Sequence, residues 1–193
     1  MNTKANLRNL RFVPPAGAVS TVTAMLVLAF AGRAHSATNT VTSLADSGAG
    51  SLRQLIADSA PGDSIVFGVT GTVTLASGKL VVDKDLTIMG PGVSTLAISG
   101  GGFQVSGGVH FTLLNLTIAN CSSESGAAIY NDRSCLLVRN CLFTHNTANG
   151  DPANTNGCGG AVFNSGTATI ASSSFVANFA GGAAGSDGTG GPG

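Results

Sequence analysis

Three stretches of the sequence share one pattern: FTLLNLTIANC (residues 111–121), LLVRNCLFTHNTA (136–148) and ATIASSSFVANFA (168–180). In each stretch the third residue is aliphatic, the fifth is Asn or Ser, and the eighth is Ile or Phe. The equivalent positions are Leu113, Val138 and Ile170; Asn115, Asn140 and Ser172; and Ile118, Phe143 and Phe175. Apolar and polar residues alternate with period two, which predicts strands that each bury one face.

The repeat predicts the fold, because such a unit buries its apolar face only by stacking on its neighbours. A second element recurs as well, GAAIYN from Gly126 and GGAVFN from Gly159. Units that hold several short strands and no helix favour an all-β, right-handed parallel β-helix. We expect the aliphatic positions and the Ile/Phe positions to form interior columns, and the Asn positions to form a hydrogen-bonded ladder at a turn. A β-sandwich is the alternative, but it does not explain the in-register repeat.

One segment, SLRQLIADS (residues 51–59), is predicted to be helical. Ser51 is a suitable N-cap, and Gln54 three residues later completes a capping box. Leu52, Leu55 and Ile56 then share one face. An open β-helix end exposes unpaired backbone groups, so we predict that this helix caps the N-terminal end of the stack.

The first 36 residues resemble an export signal. Basic residues (Lys4, Arg8, Arg11) precede an apolar run over residues 18–31, and small residues at 34 and 36 suit cleavage before Ala37. The run is shorter than the ~20 apolar residues of a spanning helix. The sequence thus predicts a signal peptide (1–36), a β-helix domain (37–180) without a membrane span, and a secreted or cell-surface location.

The rest of the chain is weakly acidic. Four of the nine basic residues lie in the first 36 positions and all nine acids lie beyond, which leaves a net charge of −4 from Ala37 onward. A chain of this charge lacks the basic surface that binds nucleic acid, and we expect no nucleic-acid partner. The Gly-rich tail (181–193) carries no final cap, and we expect it to be a point of truncation.

No set of residues in the sequence predicts a catalytic centre. Asp83 and Asp85 are the only close acids, and would share a face of an extended segment; their setting is typical of a solvated strand end. Polysaccharide lyases with a β-helix fold use calcium-binding acids and an arginine base, and Asp132 and Arg133 are the nearest match in this sequence. One acid does not make a calcium site, which needs about six oxygens or more. His110 and His145 are predicted at the surface, and Ser172 to Ser174 as part of the repeat.

Two loops are candidates for calcium binding, DPANTNG (residues 151–157) and GGAAGSDGT (181–189). Neither has the spacing of a known calcium loop, so both are predicted to be flexible loops. The sequence therefore assigns no catalytic, cofactor-binding or metal-binding residue, and no cofactor.

Four cysteines remain, Cys121, Cys135, Cys141 and Cys158. Disulfides form and persist outside the cytoplasm. Four cysteines can then pair in three ways. The sequence leaves the pairing open, and Cys121 with Cys158 fits best because both lie in or beside loops. Cys141 occupies an apolar position of the repeat, where a thiol fills space.

The leader DSGAGSLRQLI (residues 46–56), followed by DSIVF, GTVTL, DLTIMGPG and the later repeats, resembles bacterial right-handed β-helix repeat proteins with a CSLREA-like leader. The resemblance covers residues 41–180 and departs at Gly50, where that leader has Cys. It implies a pectin-lyase-like fold, export and a place on or outside the cell envelope. It implies no particular activity.

These features favour an exported, non-catalytic structural or adhesin-like protein whose polar surface contacts glycans or neighbouring cells. The alternative is a polysaccharide lyase or glycoside hydrolase of the same fold whose catalytic coils lie outside this chain. A simple spacer is a third hypothesis.

Overall fold

The computed structural model describes residues 36–150 and 157–181. Within them the chain forms one helix, α1 (Leu52–Asp58), and eighteen short strands. The strands, in chain order, are β1 (Thr38–Val41), β2 (Asp63–Phe67), β3 (Gly71–Thr74), β4 (Leu80–Val82), β5 (Leu86–Met89), β6 (Leu96–Ser99), β7 (Phe103–Val105), β8 (His110–Leu114), β9 (Thr117–Ala119), β10 (Ser122–Ser123), β11 (Ile129–Asn131), β12 (Cys135–Arg139), β13 (Leu142–Thr144), β14 (Thr147–Ala148), β15 (Val162–Asn164), β16 (Thr167–Ala171), β17 (Ser174–Val176) and β18 (Phe179–Ala180). The predicted all-β class is confirmed.

The strands assemble into four sheets, and every pairing among the described residues is parallel. The orders are β1-β2-β5-β8-β12-β16 in sheet 1, β3-β6-β9-β13-β17 in sheet 2, β4-β7-β11-β15 in sheet 3 and β10-β14-β18 in sheet 4. From β2 onward the chain passes through sheets 1, 2 and 3 in turn and returns to sheet 1, and sheet 4 joins this circuit from β10 onward. Each circuit adds one strand to every sheet it visits. The stacked parallel sheets are compatible with the predicted β-helix.

The observed register matches the predicted columns. Val138 pairs with Leu113 on one side and Ile170 on the other, and Phe143 pairs with Ile118 and Phe175. Leu113, Val138, Ile118 and Phe143 are fully buried. Ile170 and Phe175, predicted to be interior, are partly exposed because no strand of the described chain pairs with the outer edge of β16 or β17.

The predicted Asn ladder lies at the turn between sheets 1 and 2. Asn115, Asn140 and Ser172 all adopt left-handed backbone conformations, with φ of 57°, 51° and 51°. Asn tolerates this region better than most residues, because its short polar side chain bonds locally. The Asn140 side-chain amide donates a hydrogen bond to Asn115 Oδ1 at 3.2 Å. The ladder is thus both a turn signal and a bond between circuits.

Helix α1 lies at the N-terminal end of the stack, against β1 and β4. Its Leu52 and Ile56 are buried in the core, and Ser51 Oγ accepts the Gln54 backbone N–H at 3.2 Å. The predicted reciprocal bond of the capping box is absent: Gln54 Nε2 donates instead to the Asp58 carboxylate at 2.9 Å. The Ser51 N–H is bonded to Gly48 O, so it needs no side-chain partner.

Candidate functional site

A cleft of about 690 Å³ lies on the outer face of sheet 3. It is lined by Lys79, Gln104, Ser123, Glu124, Ser125 and Tyr130. We call it the ladder cleft, because Gln104 and Tyr130 belong to one outward column of the sheet. Successive side chains of a strand point to opposite faces, so the burial of Ile129 and Asn131 directs Tyr130 outward.

Tyr130 is the aromatic wall of the ladder cleft. It pairs in register with Gln104 on one side and Phe163 on the other. The rings of Tyr130 and Phe163 stack, with centroids 4.9 Å apart and an interplanar angle of 12°. Phe163 therefore covers one face of Tyr130. Gln104 lies beside the ring on the opposite side, and both side chains line the cleft.

Lys79 also lines the cleft. Its ammonium donates hydrogen bonds to the carbonyl oxygens of Gly126 and Ala127, the latter at 3.1 Å. Burial disfavours the charged form and lowers the pKa of Lys79 to about 8, although the nearby Cys121 acts in the opposite direction. The side chain thus fixes the segment that leads into β11.

An ion pair braces the backbone of Lys79 from behind. Arg53 donates to Lys79 O at 2.9 Å and to Gly78 O at 2.8 Å, and its Nη2 lies 2.8 Å from Asp46 Oδ1. The other Asp46 oxygen accepts the backbone N–H groups of Ala76 and Ser77. Hydrogen bonds from Ser77, followed by those from Arg53, lower the pKa of Asp46 to about 2.

The opposite rim, residues 123–125, is held by its backbone. Ser123 Oγ donates to Ser125 O at 2.8 Å. The N–H groups of Asn149 and Gly150 donate to the carbonyls of Ser123 and Glu124 at 2.9 and 3.1 Å. The rim is therefore positioned by the next circuit, and the exposed Glu124 side chain stands at its edge.

The cleft combines one aromatic face with several hydrogen-bonding groups. An aromatic face is electron-rich, so it attracts the C–H groups on the flat side of a sugar ring. The Gln104 amide, the Ser123 hydroxyl and the Glu124 carboxylate supply the donors and acceptors that sugar hydroxyls need. This combination of an apolar platform and a few convergent polar groups is typical of small-ligand sites.

Asp83 and Asp85, the two acids that are close in sequence, do not converge on one site. Residues 83–85 form the corner between β4 and β5, as a solvated strand end should. Asp83 Oδ1 lies 3.7 Å from Lys84 Nζ, and Asp83 faces a separate cleft beside α1. Asp85 instead lies 3.5 Å from His110 Nδ1 on the outer face of sheet 1.

The other candidate residues occupy surface turns. Asp132 and Arg133 form an exposed ion pair at 3.3 Å in the turn between β11 and β12. His145 is exposed and bonded to Thr144 Oγ1 at 2.7 Å. Ser173 bonds the turn itself, donating to Ala171 O and accepting the Cys141 N–H.

The two candidate calcium loops lie mostly outside the described residues, which include only Gly157 and Gly181 of them. Within residues 36–150 and 157–181, no three His, Cys, Asp or Glu side chains are grouped so that they could hold a metal ion.

The pairing of Cys121 with Cys158 is not observed. Cys121 is a buried free thiol, and burial raises its pKa to about 11, while Cys158 is exposed. Cys121 precedes β10 and points into the stack, where its N–H bonds to Asn146 Oδ1. Cys141 is buried as predicted.

Comparison with known proteins gives no match to a family model, a curated protein or a solved structure. No helix in the described part of the chain is long and apolar enough to cross a membrane. The apolar run at residues 18–31 lies outside that part.

Sequence reasoning missed the ladder cleft, although one signal for it was present. Tyr130 and Phe163 occupy the same position in GAAIYN and GGAVFN, between a β-branched residue and an Asn. An aromatic residue that recurs at an outward position predicts a stacked pair on the surface. Lys79 carried no such signal, because its partners lie 47 and 48 residues away.

Proposed function

We propose that this chain is an exported, non-catalytic protein of the cell surface or extracellular space that binds glycans in the ladder cleft. The observation that carries the proposal is the Tyr130 ring, stacked on Phe163 on one side and bordered by polar groups on the other. A sugar ring would lie against the part of Tyr130 that lines the cleft, with its hydroxyls bonded to Gln104 and Glu124.

The proposal includes the finer description of the fold, a right-handed parallel β-helix of the pectin-lyase-like kind. The order in which the chain visits the sheets supports it, since each return to sheet 1 is a crossover between parallel strands. Crossovers of this type are right-handed in about 98% of cases. A rigid stack suits binding, because side chains on neighbouring strands keep fixed spacings.

The site itself is pre-organised, which favours binding over repeated conformational change. Arg53 and Asp46 fix the backbone of Lys79, and Lys79 in turn fixes the segment before Tyr130. Ordering of the protein would therefore cost little free energy when a ligand binds.

The test is binding of the purified chain to a panel of neutral and acidic oligosaccharides, followed by titration calorimetry on the best ligand. We expect Tyr130→Ala to weaken binding at least about tenfold, or ~1.4 kcal/mol, and Phe163→Ala to weaken it less. Phe179→Ala is the matched control, because Phe179 is an exposed aromatic residue on sheet 4. Binding that Tyr130→Ala leaves unchanged would contradict the site.

The same panel separates the enzyme alternative. Release of reducing ends or unsaturated sugars in proportion to the amount of chain would show that this chain is itself catalytic, and would contradict the non-catalytic part of the proposal. Absence of binding to every oligosaccharide would contradict the glycan part.

A further inference from the structure

A second group of reactive side chains lies on the outer face of sheet 1, apart from the ladder cleft. His110 is the first residue of β8, and its register partner is Cys135, the first residue of β12. Asp85 immediately precedes Leu86, which pairs with Phe111, so Asp85 occupies the same position one strand earlier. The stack therefore aligns a carboxylate, an imidazole and a thiol on consecutive strands.

The carboxylate and the imidazole are in contact. Asp85 Oδ1 lies 3.5 Å from His110 Nδ1, and the same oxygen accepts the His110 backbone N–H at 2.7 Å. The backbone bond fixes the carboxylate, and the ring contact orients the imidazole so that Nε2 remains available to another partner.

The thiol is accessible and adjacent to the imidazole. Cys135 is exposed, and it lines a cleft of about 290 Å³ together with His110 and Thr167. Neighbouring strands of a sheet lie ~4.8 Å apart, so in-register side chains on one face stand side by side. Cys121 and Cys141 differ from Cys135, because both are buried and no reagent reaches them without opening the stack.

We propose that Cys135 is a thiol–disulfide exchange site for low-molecular-mass disulfides, with His110 as the proton acceptor and Asp85 as the residue that positions His110. This activity is independent of glycan binding, since its residues lie on a different sheet. An exported protein meets such disulfides in oxidising surroundings.

The exchange balances without a further reactant. The Cys135 proton passes to the His110 imidazole, and the thiolate attacks one sulfur of the disulfide R–S–S–R. The S–S bond breaks, and its electron pair leaves with the second sulfur as R–S⁻, which takes the proton from the imidazolium. The products are the Cys135 mixed disulfide and R–SH, so Cys135 is oxidised and the released thiol is the reduced product.

The experiment follows the reaction of the purified chain with oxidised glutathione at pH 7, with the modified cysteine identified by peptide mass spectrometry. Peptide resolution separates Cys135 from Cys158, which is also exposed. The urea-unfolded chain gives the rate for the same thiol without its neighbours. We expect native Cys135 to react at least about fivefold faster than in the unfolded chain, because only the folded chain holds a proton acceptor, His110, beside the thiol.

Two variants test whether the faster reaction of Cys135 depends on His110 and Asp85. His110→Gln should reduce the rate to near the unfolded value, and Asp85→Asn should give a smaller reduction. His145→Gln, which alters another exposed histidine, is the matched control and should leave the rate unchanged. The proposal would be overturned if Cys135 reacted equally fast in the native chain and in His110→Gln. It would also be overturned if Cys135 reacted no faster in the native chain than in the unfolded chain. The native-to-unfolded ratio decides the question even where a variant fails to fold.

Discussion

Phe143 and Phe175 hold equivalent positions in adjacent strands of sheet 2, and their rings stack with centroids 4.7 Å apart. Phe143 is fully buried, whereas Phe175 is 47% exposed. The two residues hold equivalent positions, but β13 lies between two strands, whereas no strand of the described residues pairs with the outer edge of β17. Burial in this molecule is thus a property of the neighbouring circuit, as expected of a stack in which each unit contacts only the next.

The N-terminal end of the stack is covered by other means. There α1 places Leu52 and Ile56 against the first strands of sheets 1 and 3. Lys84 ties this helix to the corner after β4, through hydrogen bonds to Ile56 O and Ala57 O at 3.3 and 3.2 Å. In the last described circuit, by contrast, Ile170, Phe175, Val176 and Phe179 remain exposed.

The largest expected effect comes from removing the two stacked rings one at a time. Phe143→Ala should lower the free energy of unfolding by about 3–5 kcal/mol, because it leaves a cavity in a closed core. Phe175→Ala should cost less than about 1.5 kcal/mol, since much of its ring is already in water. Urea unfolding followed by circular dichroism measures both variants.

Equal losses for these two variants would contradict the comparison, because they would mean that Phe175 is also covered in solution. Leu137→Ala is a suitable control, since Leu137 lies at an outward position of β12 and should cost little.

The sequence predicted the columns because their signal is local. Period-two alternation sets which face each residue takes, and the Asn positions fix the turn that restarts the alternation, so Val138 had to meet Leu113. The exposure of Ile170 and Phe175 could not be predicted in the same way, because it depends on whether another circuit packs against their strands and not on the strands themselves.

The ladder cleft was beyond prediction for a related reason. Tyr130 and Phe163 were visible as a repeat, but the cleft also needs Gln104 and Lys79, which lie outside the repeated motif. Cys121 and Cys158 were paired on loop position alone, whereas the structure turns Cys121 into the stack. Side-chain direction at the ends of short strands decides such contacts, and composition carries no record of it.

A second prediction compares two hydrogen-bonded amide side chains, the buried Asn146 and the half-buried Asn178. Asn146 donates to Ile118 O at 3.1 Å and Asn178 Oδ1 at 2.8 Å, and accepts the Cys121 N–H. Asn146→Ala should lower the free energy of unfolding by about 1–3 kcal/mol, because it leaves buried backbone groups unpaired. Asn178→Ala removes similar bonds in the last described circuit, where water can replace them, and should cost less.

Both amide variants are measured by the same urea unfolding. Asn146→Ser should lose nearly as much free energy of unfolding as Asn146→Ala, because the shorter side chain does not span the two circuits. A loss for Asn178→Ala that matches or exceeds the loss for Asn146→Ala would contradict the idea that solvent access separates the two circuits.

The smallest expected effect is the loss of stability at low pH, which should differ between the two ends of the stack. Hydrogen bonds hold the pKa of Asp46 at about 2 and lower that of Asp63, which accepts the N–H groups of Ala37 and Ala60. Both belong to the N-terminal end, while residues 167–181 contain no carboxylate. A carboxyl group whose pKa is lower in the folded chain stabilises it above the unfolded pKa of about 4. That stabilisation is lost as the pH falls towards the folded pKa.

We therefore expect acid to loosen the capped end first, between about pH 4 and pH 2. Asp46→Asn should lose about 1 kcal/mol at pH 5, a modest value because the ion pair with Arg53 is near solvent, and should show a flatter decline below pH 4. Asp83→Asn is the control, since Asp83 is 65% exposed and its ion-pair partner Lys84 lies 3.7 Å away. Hydrogen exchange at pH 2.5 should show opening of residues 38–58 before residues 135–148. Simultaneous opening of both segments would mean that the network around Asp46 gives the capped end no separate response to acid, and that the whole stack unfolds as one unit.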